Sequence, residues 1–168
     1  EMTDPTTPYV FSEHAFWPQD PAIENAVAGG VTTIQVLPGS GNIIGGRAVA
    51  LKLRPRLEAR AMRFPGAPFG LKMACGENPK RVYGGRGSTP STRMANIAMM
   101  RQAWVDATRY RQIHTDYAED VRTWCDEGHA DDGEPSPPDR NLGNETLASV
   151  LDEDILVHIH CYLSLIHI

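Results

Sequence analysis

The spacing of apolar and polar residues changes several times along the chain, and each change predicts an element. Residues 1–19 carry Pro5, Pro8 and Pro18 among polar and aromatic residues with no sustained period, which reads as loop. Asp20-Pro21 supplies a helix cap followed by proline at the first helical position. Ala22, Ile23, Ala26 and Val27 then share one face, and Gly29-Gly30 stops the helix. Val31 to Leu37 (VTTIQVL) is rich in β-branched residues between glycines and a proline, the pattern of a strand. Arg47 to Leu53 alternates like a second strand, and Pro55 ends it. Residues 54–69 form a basic, proline-containing connection with room for one helical turn. Gly70 to Cys75 (GLKMAC) is a third strand, followed by a glycine-rich loop through Gly84, Gly85 and Gly87. Pro90-Ser91-Thr92 opens the longest helix. Its apolar stripe comprises Met94, Ile97, Met100, Trp104, Ala107, Tyr110, Ile113, Tyr117, Val121 and Trp124, and it frays by Gly128. Thr146 to Leu151 is a short helix. Ile155 to Tyr162 (ILVHIHCY) alternates as a last strand with His158, His160 and Tyr162 on one face.

Composition narrows the class. With 168 residues, 41% hydrophobic and 22% charged, the chain is of ordinary globular type and long enough for one domain with its own core. A net charge of -5 and the lack of a basic stripe give no reason to expect a nucleic-acid partner. No apolar run approaches the ~20 residues needed to cross a bilayer, so no membrane partner is expected. The 3 cysteines, Cys75, Cys125 and Cys161, make no spaced framework and favour reduced thiols. The chain begins at Glu1 rather than methionine, which leaves the true start, any targeting segment and the localisation open.

Three stretches invite chemistry. Pro38 to Gly46 (PGSGNIIGG) has the look of a phosphate-cradling loop, but a strand follows where such a loop must open a helix, which argues against nucleotide binding. Residues 126–140 are acidic and proline-rich, yet their spacing does not fit a calcium loop, so they read as a solvated surface. The third stretch is the GLKMAC strand with its exit Gly76-Glu77-Asn78-Pro79. A lysine inside an apolar strand is costly unless it is paired, modified or able to snorkel to the surface. Strand parity puts Lys72 with Ala74 on one face, and His158, His160 and Tyr162 together on one face of the last strand. Imidazoles are standard zinc ligands, so a metal site is one reading; two structural histidines on a strand are the other.

The segments AGGVTTIQVLPGSGN (28–42), FPGAPFGLKMACGENPKRVYG (64–84), PSTRMA (90–95) and ILVHIHCY (155–162) resemble the metal-dependent amidohydrolase superfamily, closest to its imidazolonepropionase-like and prolidase-like members. The resemblance implies an α/β fold: part of a (β/α)₈ TIM barrel, roughly strands two to five, with parallel strands and covering helices over residues 1–162. It implies hydrolysis of an amide, cyclic amide or related C–N bond in a small-molecule substrate by metal-activated water, with a divalent metal, zinc first, as one or two ions. Placed on the family pattern, Lys72 stands where relatives carry a carboxylated lysine bridging two metals, and His160 where they carry a metal-binding histidine. Glu77 is the second choice for the bridging position, and Tyr162 and His158 are substrate-side candidates. Tyr162 departs from the pattern, since many relatives have a second histidine there. The family's first-strand His-x-His pair is expected upstream of Glu1, and its sixth-strand histidine and eighth-strand aspartate beyond residue 162. The chain is therefore read as an internal fragment, inactive alone and prone to associate through exposed sheet edges. Leu163 to Ile168 (LSLIHI) resembles a translated sequencing adaptor and is read as a non-native tail. The alternative from another class is a non-catalytic α/β module that binds a small molecule or a protein and needs no metal.

Overall fold

The computed structural model describes residues 2–126 and 133–161. A 4-stranded sheet runs in the order β1 (Thr33–Val36), β2 (Ile44–Lys52), β3 (Phe69–Ala74) and β4 (Ile155–His160). β1 pairs antiparallel with β2, β2 antiparallel with β3, and β3 parallel with β4. The α/β class stands, but the expected all-parallel arrangement does not: the sheet is mixed, and no barrel closure is seen among the described residues. Connection chemistry explains the difference. A parallel pair needs a crossover of about a dozen residues or more, usually helical. Residues 37–43 are too few for one, and residues 53–68 contain only a 3₁₀ turn at Ala59–Met62, so the chain doubles back at both places. Only β3 to β4 is bridged by helices, α2 (Glu77–Gly84), α3 (Arg93–Asp126) and α4 (Leu142–Leu151).

The first helix, α1 (Ala22–Ala28), begins one residue later than expected, with Pro21 in the cap position, while Asp20 Oδ1 still accepts the Ala22 N–H at 2.9 Å. The expected glycine-rich loop after β3 is instead the helix α2. Gly76, with φ 85°, makes a turn that a side chain would strain, and Pro79 falls in the first turn, where its missing N–H is not needed. The last helix, α4, starts well before Thr146 because the Asn141 side chain caps it, accepting the Asn144 N–H at 2.9 Å. On α3 the stripe holds where the helix lies over the sheet: Met100, Trp104 and Ala107 pack into the core. Met94 (80% exposed) and Ile113 (43% exposed) point away from it, and Asn96 is buried in their stead.

Residues 5–11 are more than a loop. They run beside the start of β2, with Thr7 N–H donating to the Ile44 carbonyl at 2.8 Å and Arg47 N–H to the Val10 carbonyl at 2.7 Å. Gly46 sits where this segment crosses; its φ is +115°, and a Cβ there would be 2.4 Å from Val10 O. Only glycine fits.

One face of the sheet carries the core. Ile44, Leu71, Met73 and Ile155 pack under α3 and α4 with Ala107 and Leu147, while Val49, Leu51, Leu53 and Met62 pack with Ile23, Ile34 and Val36. Each fully buried Ile, Leu or Met among them contributes about 1.5–3 kcal/mol by leaving water. The other face carries the small residues Ala48, Ala50, Gly70 and Ala74 beside Gln35, Lys72, His158 and His160.

The expectation of reduced thiols fails for two of the cysteines. Cys75 and Cys161 each follow the last residue of a strand, and Ala74 and His160 are register partners, so their Cα atoms are 4.7 Å apart and a disulfide joins them. Cys125 remains a free, exposed thiol. No helix among the described residues is long and apolar enough to cross a membrane. Tyr162 and the 163–168 tail lie outside the described residues, as does the middle of the acidic segment.

Candidate functional site

The candidate site lies at the end of the sheet where β3 and β4 finish, and the 37–43 loop between β1 and β2 reaches that end through Ser40. Register places Lys72 beside His158 and Ala74 beside His160, so Lys72, His158 and His160 rise from one face of two adjacent strands. Lys72 Nζ donates to Ser40 Oγ at 3.0 Å and to the Met73 carbonyl at 3.0 Å. His160 Nδ1 lies 3.0 Å from the same Ser40 oxygen. A single loop hydroxyl thus stands between the two residues that the sequence singled out. Burial disfavours the charged amine and pulls the Lys72 pKa below the ordinary lysine value.

His158 is positioned differently. The Gln35 amide on β1 donates to its Nε2 at 3.0 Å, reaching over the small residues of β2 and β3. The imidazole lies over Gly70, where a Cβ would meet His158 Cδ2 at 2.6 Å. Glu77, the second-choice ligand, sits in the first turn of α2 and pairs with Lys80 at 2.9 Å rather than with Lys72. The structure therefore brings Lys72 and His160 together through Ser40, sets His158 beside them, and turns Glu77 to another partner.

A buried polar network holds the loop that delivers Ser40. Asn42 Nδ2 donates to Thr7 Oγ1 at 2.8 Å, and Tyr83 Oη lies 2.6 Å from Asn42 Oδ1 and 2.8 Å from the Asp4 carbonyl. Thr7, Asn42 and Tyr83 are all buried. Such a network fixes one arrangement because each broken bond would strand a polar group away from water. Ser40 and Gln35 escaped the sequence reading. A signal for each existed: Ser40 lies in a Pro-Gly-Ser-Gly turn after a strand, and Gln35 is a polar residue within an otherwise β-branched and apolar run.

A divalent metal asks for several hard or borderline donors around one point. The described residues contain no group of three or more His, Cys, Asp or Glu side chains so arranged. His160, His158 and Lys72 by themselves do not make such a shell.

The sheet thus sets a lysine, two histidines and a loop hydroxyl close together at the ends of its parallel strands. No family model matches the chain. The chain is 37% identical over 175 aligned residues to amidohydrolase tasK of Hapsidospora irregularis, an alignment covering 96% of this chain and 17% of that protein. It also matches the crystal structure of an amidohydrolase from Thermotoga maritima MSB8, with a TM-score of 0.79 and 37% identity over 95% of this chain and 38% of that one. Both of these similar proteins are named amidohydrolases. The chain spans well under half the length of either.

Proposed function

We propose that the chain contributes one wall of the active site of a hydrolase that cleaves an amide, cyclic amide or related C–N bond in a small molecule, with a divalent metal as cofactor, zinc first, as one or two ions. The observation that carries this reading is the convergence of Lys72 and His160 on Ser40 at the ends of adjacent parallel strands. The amidohydrolase names of both homologues point the same way. In this reading His160 offers an imidazole to the metal, and Lys72 offers an oxygen after carboxylation. That step adds carbon dioxide to the neutral amine and releases one proton, leaving an anionic carbamate. Burial favours it by raising the neutral fraction of Lys72. Glu77 is the second choice for the bridging role, and it would first have to leave Lys80. When bound, the metal would polarise the scissile carbonyl and acidify a water. In this reading His158, held by Gln35, and Tyr162 serve as substrate-side residues.

The test is hydrolysis of a panel of N-acyl amino acids, dipeptides and cyclic amides by the full-length protein, followed by amine release. Turnover is expected to be lost on chelation and restored by zinc. His160→Ala and Lys72→Ala are expected to lower kcat/KM by about 100-fold or more. Turnover that survives both substitutions sinks the reading. A second reading, a non-catalytic small-molecule binder, is favoured by one observation. An apolar cavity of about 830 Å³ lies on the opposite face of the sheet, walled by Phe11, Phe16, Trp17, Ile23, Ile34 and Val36. Ligand binding that survives Trp17→Ala would remove it.

A further inference from the structure

Among the described residues Ser40 Oγ lies within hydrogen-bond distance of both Lys72 Nζ and His160 Nδ1, and its chemistry fits a hub. A hydroxyl has one proton to give and two lone pairs to receive with, whereas a protonated lysine only donates. Lys72 Nζ, 3.0 Å away, takes one lone pair of Ser40 Oγ. That leaves the Ser40 proton for His160 Nδ1, also at 3.0 Å. Donation by Lys72 polarises the hydroxyl and strengthens its own donation, so the bonds reinforce one another along the line Lys72 to Ser40 to His160. The reverse orientation, with His160 Nδ1–H donating to an oxygen that already accepts from a cation, forgoes this gain. Ser40 is itself well placed for the task, because Asn42, two residues on, is locked by Thr7 and Tyr83.

We propose that Ser40 is a positioning residue of this polar cluster: its hydroxyl couples the Lys72 amine on β3 to the His160 imidazole on β4 and sets the ring's orientation and tautomer. The catalytic consequence rests on the hydrolase reading above; the coupling itself does not. With Ser40 donating to Nδ1, the metal-free protein carries the imidazole proton on Nε2. The same hydroxyl can accept from Nδ1–H once a ligand claims Nε2, because a hydroxyl serves in either sense. Serine supplies this with a short side chain in a half-buried loop, where alanine would leave both nitrogens without their common partner.

The experiment is nitrogen-15 NMR of the His160 ring in the metal-free full-length protein at a pH where the ring is neutral. Wild type is expected to show well-separated Nδ1 and Nε2 resonances, with the proton on Nε2. Ser40→Ala should draw the two resonances together as the tautomers mix, and Ser40→Thr, which keeps the hydroxyl, should restore the separation. Lys72→Met should shift the His160 resonances in the wild-type background and leave them unmoved when Ser40 is alanine. Spectra of His160 indifferent to Ser40→Ala overturn the proposal, as does a Lys72→Met shift of equal size in both backgrounds. Thermal melts of each variant guard against unfolding as the cause. Failure of the hydrolase reading looks different: it appears as turnover surviving His160→Ala, whatever the spectra show.

Discussion

Replacing Gly70 with alanine puts a methyl group under the His158 ring, and the structure gives the terms needed to weigh the result. The added Cβ would lie 2.6 Å from His158 Cδ2, 2.9 Å from His158 Nε2 and 3.2 Å from Ala48 Cβ. Gly70 has no positive φ, so the backbone itself accepts alanine. Overpacking of this kind costs about 1–3 kcal/mol in a core that cannot yield. Here the ring stands on an edge strand and can swing toward solvent, breaking its bond from Gln35 at a cost near the low end of about 0.5–1.5 kcal/mol. Alanine also narrows the unfolded ensemble and returns about 0.4–1 kcal/mol. The two terms nearly cancel, so Gly70→Ala should change stability by no more than about 0.5 kcal/mol in the wild-type background. In a His158→Ala background the clash with the ring is gone, and Gly70→Ala should stabilise by about 0.4–1 kcal/mol. Urea denaturation of the four proteins, followed by far-ultraviolet circular dichroism, measures the coupling. Equal effects in the two backgrounds would refute the placement of the His158 ring over Gly70.

The loop anchor gives another prediction: Asn42→Ala, which strips Thr7 and Tyr83 of a buried partner, should destabilise by about 1–3 kcal/mol in denaturant titration, and a change below the noise would count against the network. Reducing the Cys75–Cys161 bond, or replacing both cysteines with serine, should cost about 2–5 kcal/mol because it closes a loop with a sequence separation of 86; a melting temperature indifferent to reductant would contradict this. Lys72 has a folded pKa below its unfolded value, so between that lowered pKa and the ordinary value of about 10.4 the unfolded chain holds more protons. Its contribution to stability therefore rises with pH across that window. Lys72→Met should flatten the alkaline side of the stability profile, and an unchanged slope would show that burial of the amine is not felt. On β4, Leu156 (52% exposed), Val157 (45%) and Ile159 (49%) lie along an edge that pairs with no further strand among the described residues. Ile159→Lys should reduce self-association of the isolated chain in sedimentation velocity, since a charge on an open edge opposes strand pairing; equal association would place the contact elsewhere.

Local signals carried much of the architecture. The β-branched run 31–37, the alternation after Arg47 and the GLKMAC and ILVHIHCY stretches each fell on a strand, because alternation is imposed by the pleat itself. The Asp20-Pro21 start and the Pro90-Ser91-Thr92 opening likewise placed α1 and α3. The helix at 77–84 was misread as loop because its glycines and proline look like breakers until Gly76 is seen to turn and Pro79 to fall in the first turn. Strand direction was also misjudged, since it depends on how the connections pack rather than on the strands' own residues.

For the site, the sequence alone determined that Lys72 is a charge in an apolar strand and that His158 and His160 share a face. Those are consequences of period-two geometry and need no partner strand. Only the tertiary structure decided that β3 and β4 lie side by side in register, that Cys75 meets Cys161, and that Ser40 stands between Lys72 and His160. The physical reason is separation: Ser40 and His160 are 120 residues apart, and a hydrogen bond depends on distance in space, which the fold sets and local spacing does not encode.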